Sequence, residues 1–303
     1  MRYKITHLTT YTYDRPVRLD AHVVRLRPRT DAAQSLTQFS LEITPRPIGL
    51  SDNSDLDGHS SLKAWFSDQP IHRLELQTLS VVETYRDNPF NFILEPWAAS
   101  LPINYPSRLS SQLQPYWVGH FIPTPGILDP MATELGQSMW EMTQGNTINF
   151  LTELNQRIYH HSSYILRETG DPYPPSVTWQ KKLGSCRDLT VLFMAVCRSV
   201  GLAARFVSGY HEGDPENPDA HLHAWAEVYL PGAGWRGYDP TYGLAVGDRY
   251  IALAAAPFPQ EAAPVAGALQ PGFQAQVDMS YDLTIQALEP AESMLSPVQL
   301  QSL

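Results

Sequence analysis

Up to about Tyr85, apolar and polar residues alternate with period two. In QFSLEI, Phe39, Leu41 and Ile43 fall on one face of a strand and Gln38, Ser40 and Glu42 on the other. HVVRLRP and LELQTLSVVETY repeat the pattern, the second with a change of phase near Leu79 that a β-bulge would produce. Turn-rich pieces such as SDNSDLDGHS separate the runs. Residues 1–95 are therefore predicted to form an antiparallel β-sandwich with polar outer faces, read as a scaffold or docking module.

From 96 to 130 the chain is rich in Pro and Ser, and Trp97, Tyr116, Trp117 and Phe121 make it too apolar for a free linker. It reads as an ordered connector. Helical spacing begins after it: Leu135 and Met139, then Ile148, Leu151, Leu154 and Ile158 behind an N-cap at Thr147. In GSCRDLTVLFMAVCRS, the positions from Leu189 to Val196 are apolar almost all the way round, which marks a helix buried inside its domain. The expected architecture is α+β: the sandwich, then a core over 131–288 with that helix packed on an antiparallel sheet. A Pro-, Ser- and Gln-rich tail, 289–303, is expected to fray.

Composition narrows the function classes. A chain of 303 residues is long enough for two domains. Its net charge of −10 argues against nucleic acid or an anionic membrane as partner. The N-terminus lacks the apolar stretch of a signal peptide, and no run is long enough to span a membrane, so a cytoplasmic location is expected. On one helix, Cys186 and Cys197 would be separated by roughly 16 Å of rise, more than a disulfide spans. Both thiols are expected to be free, as suits a reducing compartment.

Cys197 reads as a small core hydrophobe. Cys186 follows Gly184 and the N-cap candidate Ser185, in the first helical turn, where free N–H groups and the helix dipole favour a thiolate and could hold an oxyanion. A base is offered by HLHAWAEVYL, whose alternation puts His221, His223, Trp225, Glu227 and Tyr229 on a polar, aromatic face suited to a cleft. With a three-residue loop at Pro231–Ala233, Leu230 pairs with Gly234. His223 then lies diagonal to Asp239 of WRGYDP, with Cα atoms about 7–8 Å apart; an even loop would separate them. Each residue also has a plain reading: packing for Cys186, a neighbour-bonded strand residue for His223, a turn before Pro for Asp239. Two rings on one face of HLH could bind a metal, but no nearby pair completes a ligand set. His211 and Asp219 sit in HEGDPENPDA, read as a solvated acidic loop.

GSCRD, RSVGLAARFVSGY and HAWAEVYLPGAGWRGYDPT resemble the core of the bacterial transglutaminase-like superfamily, and YKITHLTTYTYDRPV with RLRPR resembles the β-rich region that often precedes it. The resemblance implies a papain-like core and thiol chemistry at an amide carbonyl: Cys186 as nucleophile, His223 as base, Asp239 as the group orienting it. In some members an upstream aromatic side chain stabilises the oxyanion; Trp179 in SVTWQKKLGSC is the candidate, with packing as its other reading. The segment IALAAAPFPQEAAPVAGAL departs from the charged stretch common in the family. The expected reaction is acyl transfer from a peptide or protein amide through a Cys186 thioester, with water as acceptor in a peptidase or amidase. An amine acceptor would make it a cross-linking transglutaminase. A non-catalytic peptide-binding module and a metal-binding protein are the rivals. No calcium loop is present in the sequence, and no cofactor is expected.

Overall fold

The structure, a computed structural model, describes residues 1–117, 129–167, 170–213 and 221–289. The alternating N-terminal runs form β1 (Arg2–Val17), β2 (His22–Val24), β3 (Gln34–Thr44), β4 (Gly49–Ser54), β5 (Ser60–Trp65) and β6 (Ile71–Thr84). Three helices follow, α1 (Ser107–Trp117), α2 (Pro130–Met142) and α3 (Thr147–His161). Next come β7 (Ser163–Tyr164), α4 (Pro175–Lys181), β8 (Leu183–Gly184) and α5 (Cys186–Ser199). The remaining strands are β9 (Ala204–His211), β10 (His221–Leu230), β11 (Gly234–Asp239), β12 (Leu244–Ala245), β13 (Tyr250–Ala256), β14 (Val265–Ala266) and β15 (Val277–Ala287).

The sandwich consists of two four-stranded sheets, ordered β15-β1-β6-β3 and β14-β2-β5-β4. Its interior is packed by Tyr3, Ile5, Leu74, Leu76 and Val82 from the first sheet and Val24 and Leu62 from the second. Two of its eight strands come from the C-terminal end of the chain. β15 pairs with β1 from Tyr3↔Ala287 to Tyr13↔Val277, and β14 pairs with β2. Residues 1–95 therefore do not complete the sandwich, and the core assigned to 131–288 gives up its last strands to it. Alternation marks a strand's faces but carries no information about its partner.

The phase change expected near Leu79 is absent. β6 keeps Leu74, Leu76, Thr78, Ser80 and Val82 on one buried face, two of them polar. The bulge lies in β3, where the register slips between Leu36 and Gln38. In the connector, α1 was not foreseen because Pro115 lies within it. Tyr116 donates to Asp57 of the sandwich and packs on Trp235 at 4.9 Å between ring centroids, so the connector is fastened on both sides. Phe121 lies outside the described residues, as does the tail from 290. The N-cap of α3 is Asn146, whose side chain accepts from the Asn149 N–H; Thr147 is buried and donates to the Ala98 carbonyl.

The core is a five-stranded antiparallel sheet, β12-β11-β10-β9-β13, with α5 on the face carrying Ala224, Ala226, Val228 and Leu230. α5 is buried almost throughout, as its all-round apolarity predicts. Beyond α5 the same face runs on to the sandwich: Tyr210, paired with Leu222, and Ile251, paired with Tyr210, join the sandwich core together with Leu253. Close contact between the strands is permitted by Gly209, where a Cβ would lie 2.3 Å from the Ile251 carbonyl and 2.4 Å from the Trp225 ring. Among the described residues no helix is long and apolar enough to cross a membrane.

Candidate active site

Cys186 is the first residue of α5, and three local devices hold it there. Gly184 is required by space, because a Cβ would sit 2.9 Å from that of Asp188. β7 and β8 form a two-residue parallel bridge, Ser163↔Leu183 and Tyr164↔Gly184, that fixes the approach to the helix. Ser185 is the N-cap, and Asp188, three residues on, reaches back to accept from its N–H at 2.7 Å and its hydroxyl at 2.8 Å. The other oxygen of this fully buried carboxylate accepts from Arg167 at 2.9 Å and from the Tyr173 N–H at 2.7 Å. The Ser185 to Asp188 spacing is the capping-box signature, so this anchor was readable in the sequence.

The β10–β11 hairpin has the three-residue loop, Leu230 pairing with Gly234 and the ladder running to Ala226↔Tyr238. Continuing that register sets Asp239 opposite Trp225, diagonal to His223. The two side chains meet: His223 Nε2 lies 2.7 Å from Asp239 Oδ2, both residues being buried. The same oxygen accepts from the Tyr250 hydroxyl at 2.9 Å, and Oδ1 accepts from the Thr241 N–H at 2.8 Å. Cys186, at the start of α5, lies close enough to act on the His223 ring, and since Nε2 is held by Asp239, Nδ1 is the nitrogen left for the sulfur. Cys186, His223 and Asp239 are thus brought together, the His223–Asp239 hydrogen bond fixing the ring.

Charge follows from this arrangement. Burial works against a charged His223 ring, but the carboxylate of Asp239, its hydrogen bond and then Cys186 outweigh it and push the ring up to about 10. Burial would likewise raise the Asp239 carboxyl; His223, the Thr241 N–H and the Tyr250 hydroxyl hold it below its ordinary value. The ring so raised stands beside the first turn of α5, where Cys186 sits. Cys197 differs: it is fully buried, burial raises its thiol well above the ordinary value, and both cysteines are free.

Trp179 is not brought into this group. Its ring stacks on His161 at 3.7 Å between centroids, its carbonyl accepts from His161, and it packs on the core away from the cleft at Cys186. An aromatic residue that does line the cleft beside Cys186 is Tyr164, placed by the parallel bridge. Tyr164 is partly exposed, and its partial burial, then the charge of Cys186, raises its phenol above the ordinary value. A two-residue bridge leaves no periodic mark, which is why Tyr164 was not foreseen.

Two further expectations are corrected. His211 is not in a solvated loop: it is the buried last residue of β9, with ring contacts to Tyr250 at 4.5 Å and to His223 at 5.8 Å. Asp219 lies outside the described residues. The polar face of β10 is not open cleft along its length, since Trp225 and Glu227 are buried and Glu227 is held by Arg29 of RLRPR and by Arg205 at 2.7 Å. Among the described residues no group of three or more His, Cys, Asp or Glu is placed to hold a metal ion.

A cleft of about 260 Å³ opens on Cys186 and His223, and its far wall is supplied by β1 and β15 of the sandwich. A family model described as the bacterial transglutaminase-like N-terminal region matches residues 3–83, and one described as the transglutaminase-like superfamily matches residues 135–240. An uncharacterized protein of Mycobacterium tuberculosis is 28% identical over 267 residues, spanning 83% of this chain and 82% of the relative. An uncharacterized protein of Mycobacterium leprae is 22% identical over 317 residues, spanning 93% and 98%. A crystal structure of a proposed cysteine protease from Cytophaga hutchinsonii superposes with a TM-score of 0.69 at 19% identity, covering 96% of this chain and 92% of that one, a likeness of fold. With both family regions matched in order and the cysteine, histidine and aspartate of the matched core brought together at one site, this protein belongs to the transglutaminase-like superfamily.

Proposed function

We propose that the protein is a thiol acyl-transfer enzyme that cleaves an amide, with water as the usual acceptor. The observation that carries this reading is the convergence of Cys186 at the start of α5 with His223, whose ring is held by Asp239. Cys186 attacks the carboxamide carbon as thiolate, its proton residing on His223 Nδ1. The tetrahedral oxyanion is received by N–H groups of the first turn of α5, with the Tyr164 hydroxyl as a second donor. His223 then protonates the departing amine, leaving an acyl-thioester on Cys186. Water, deprotonated by His223, attacks the thioester, releasing the carboxylic acid and restoring the thiolate and imidazolium. Asp239 fixes the ring tautomer and stabilises the imidazolium throughout.

An amine in place of water would give transamidation through the same thioester, so the acceptor is the part of the reading to test directly. The substrate is a peptide or protein amide. Incubation with a peptide-amide library, followed by mass spectrometry, should find an acyl group on Cys186 and free acid as product, with no adduct in Cys186→Ala. Product made only when a primary amine is added would replace hydrolysis by cross-linking. A native protein that forms no adduct with any amide would leave a peptide-binding module.

A further inference from the structure

The sandwich wall of the cleft gives the substrate class at the proposed thiol site, an inference that rests on that reading. On β1 and β15, Thr9 is paired directly with Tyr281 and Tyr11 with Met279, and all four side chains face the cavity that opens on Cys186. Leu26 and Leu222 continue the wall. No carboxylate lines it among the described residues. His7, beside Thr9, is fully buried, with Nδ1 3.0 Å from the Tyr210 hydroxyl and Nε2 3.0 Å from the Thr9 hydroxyl, and burial lowers its ring to about 4, so it is neutral. Apart from Cys186 and His223, the charged side chains at the cavity among the described residues are two cations, Arg167 and Arg187, directed to Asp188 and to backbone carbonyls.

The acyl part of a substrate stays on the sulfur from attack to release, so the walls beside Cys186 are the ones it meets. A pocket of this lining gains from burying apolar surface. A lysine or arginine side chain would lose its hydration with no carboxylate among the described lining residues to receive it, and would face two cations as well. We infer that the sandwich sheet is the specificity wall of the active site and selects acyl donors with an apolar side chain, such as Leu, Met or Phe, next to the scissile carboxamide, while rejecting basic ones.

The test compares acetyl-Ala-Ala-X-amides with X as Leu, Met, Phe, Glu or Lys, by ammonia release from the native protein and by equilibrium binding to Cys186→Ala, which keeps the wall. The Leu, Met and Phe amides should exceed the Lys amide by about tenfold or more in kcat/KM and in affinity. Met279→Glu, at a half-buried position of an edge strand, should narrow or reverse that order, and Met279→Leu should preserve it. Turnover or binding indifferent to X, or an order that Met279→Glu leaves untouched, would overturn the inference while leaving the thiol reading in place. Selective binding to Cys186→Ala without turnover by the native protein would do the reverse.

Discussion

Asp239 carries more of the site's chemistry than its place in a turn suggests, because one buried carboxylate answers three donors on three segments. Asp239→Asn keeps the shape and removes the charge, so it should lower kcat by about a hundredfold or more with little change in KM; an effect on KM alone would contradict the orienting role. It should also move the alkaline limb of the pH–rate profile to lower pH, since the His223 ring then loses the partner that pushes it up to about 10. The sign for stability is set by the same shift. A ring raised from 6.5 contributes stability in full below pH 6.5 and loses it as pH rises through about 10. Urea unfolding of the native protein should weaken across that interval, and Asp239→Asn should lack the decline. The meeting of His223 with Asp239 was legible because strand period and loop length together fix a register. Tyr250, which donates to Asp239 from β13, was not, since nothing local to Tyr250 reports what lies eleven residues back across the sheet.

At the scale of elements, α5 and its approach decide where the sulfur sits. Asp188→Ala leaves the Ser185 N–H, the Tyr173 N–H and Arg167 without their acceptor in a dry place. Breaking a buried pair in this way costs about 3–5 kcal/mol, which calorimetry or urea unfolding would register as a large loss of stability. Cys197→Ala, by contrast, trims a small group from the helix core and should leave turnover nearly unchanged. The helix was legible from its unbroken apolar run, and the hairpin from PGAG between alternating strands. The position of the bulge was not: Thr78 and Ser80 keep the phase of β6 while being polar, so a buried hydroxyl looks in the sequence like a slip.

Across the whole molecule, sandwich and core are one structure with the site between them. Glu227 lies under Arg29 from the sandwich and Arg205 from β9, and both arginines hold its carboxyl well below the ordinary value although burial opposes it. Glu227→Ala leaves Arg205 without its carboxylate and Arg29 with Asp31 alone, and should cost about 3–5 kcal/mol. Ending the chain before Val277 removes the partner of β1 along eleven paired positions and takes Met279 and Tyr281 from the cleft. Such a chain should lose both its single cooperative thermal transition and its activity, whereas two independent transitions in the full-length protein would contradict a shared core. This closure was not legible, because the return of β15 to β1 joins the two ends of the chain and alternation alone does not say which strands pair. The claim that Cys186 is the activated thiol is tested most directly by the rate of iodoacetamide labelling of each cysteine in the native protein at neutral pH. Rapid alkylation of Cys186, slowed in Asp239→Asn, with Cys197 unlabelled until the chain unfolds, is the result expected; equal labelling of the two thiols, or a Cys186 rate indifferent to Asp239, would contradict it.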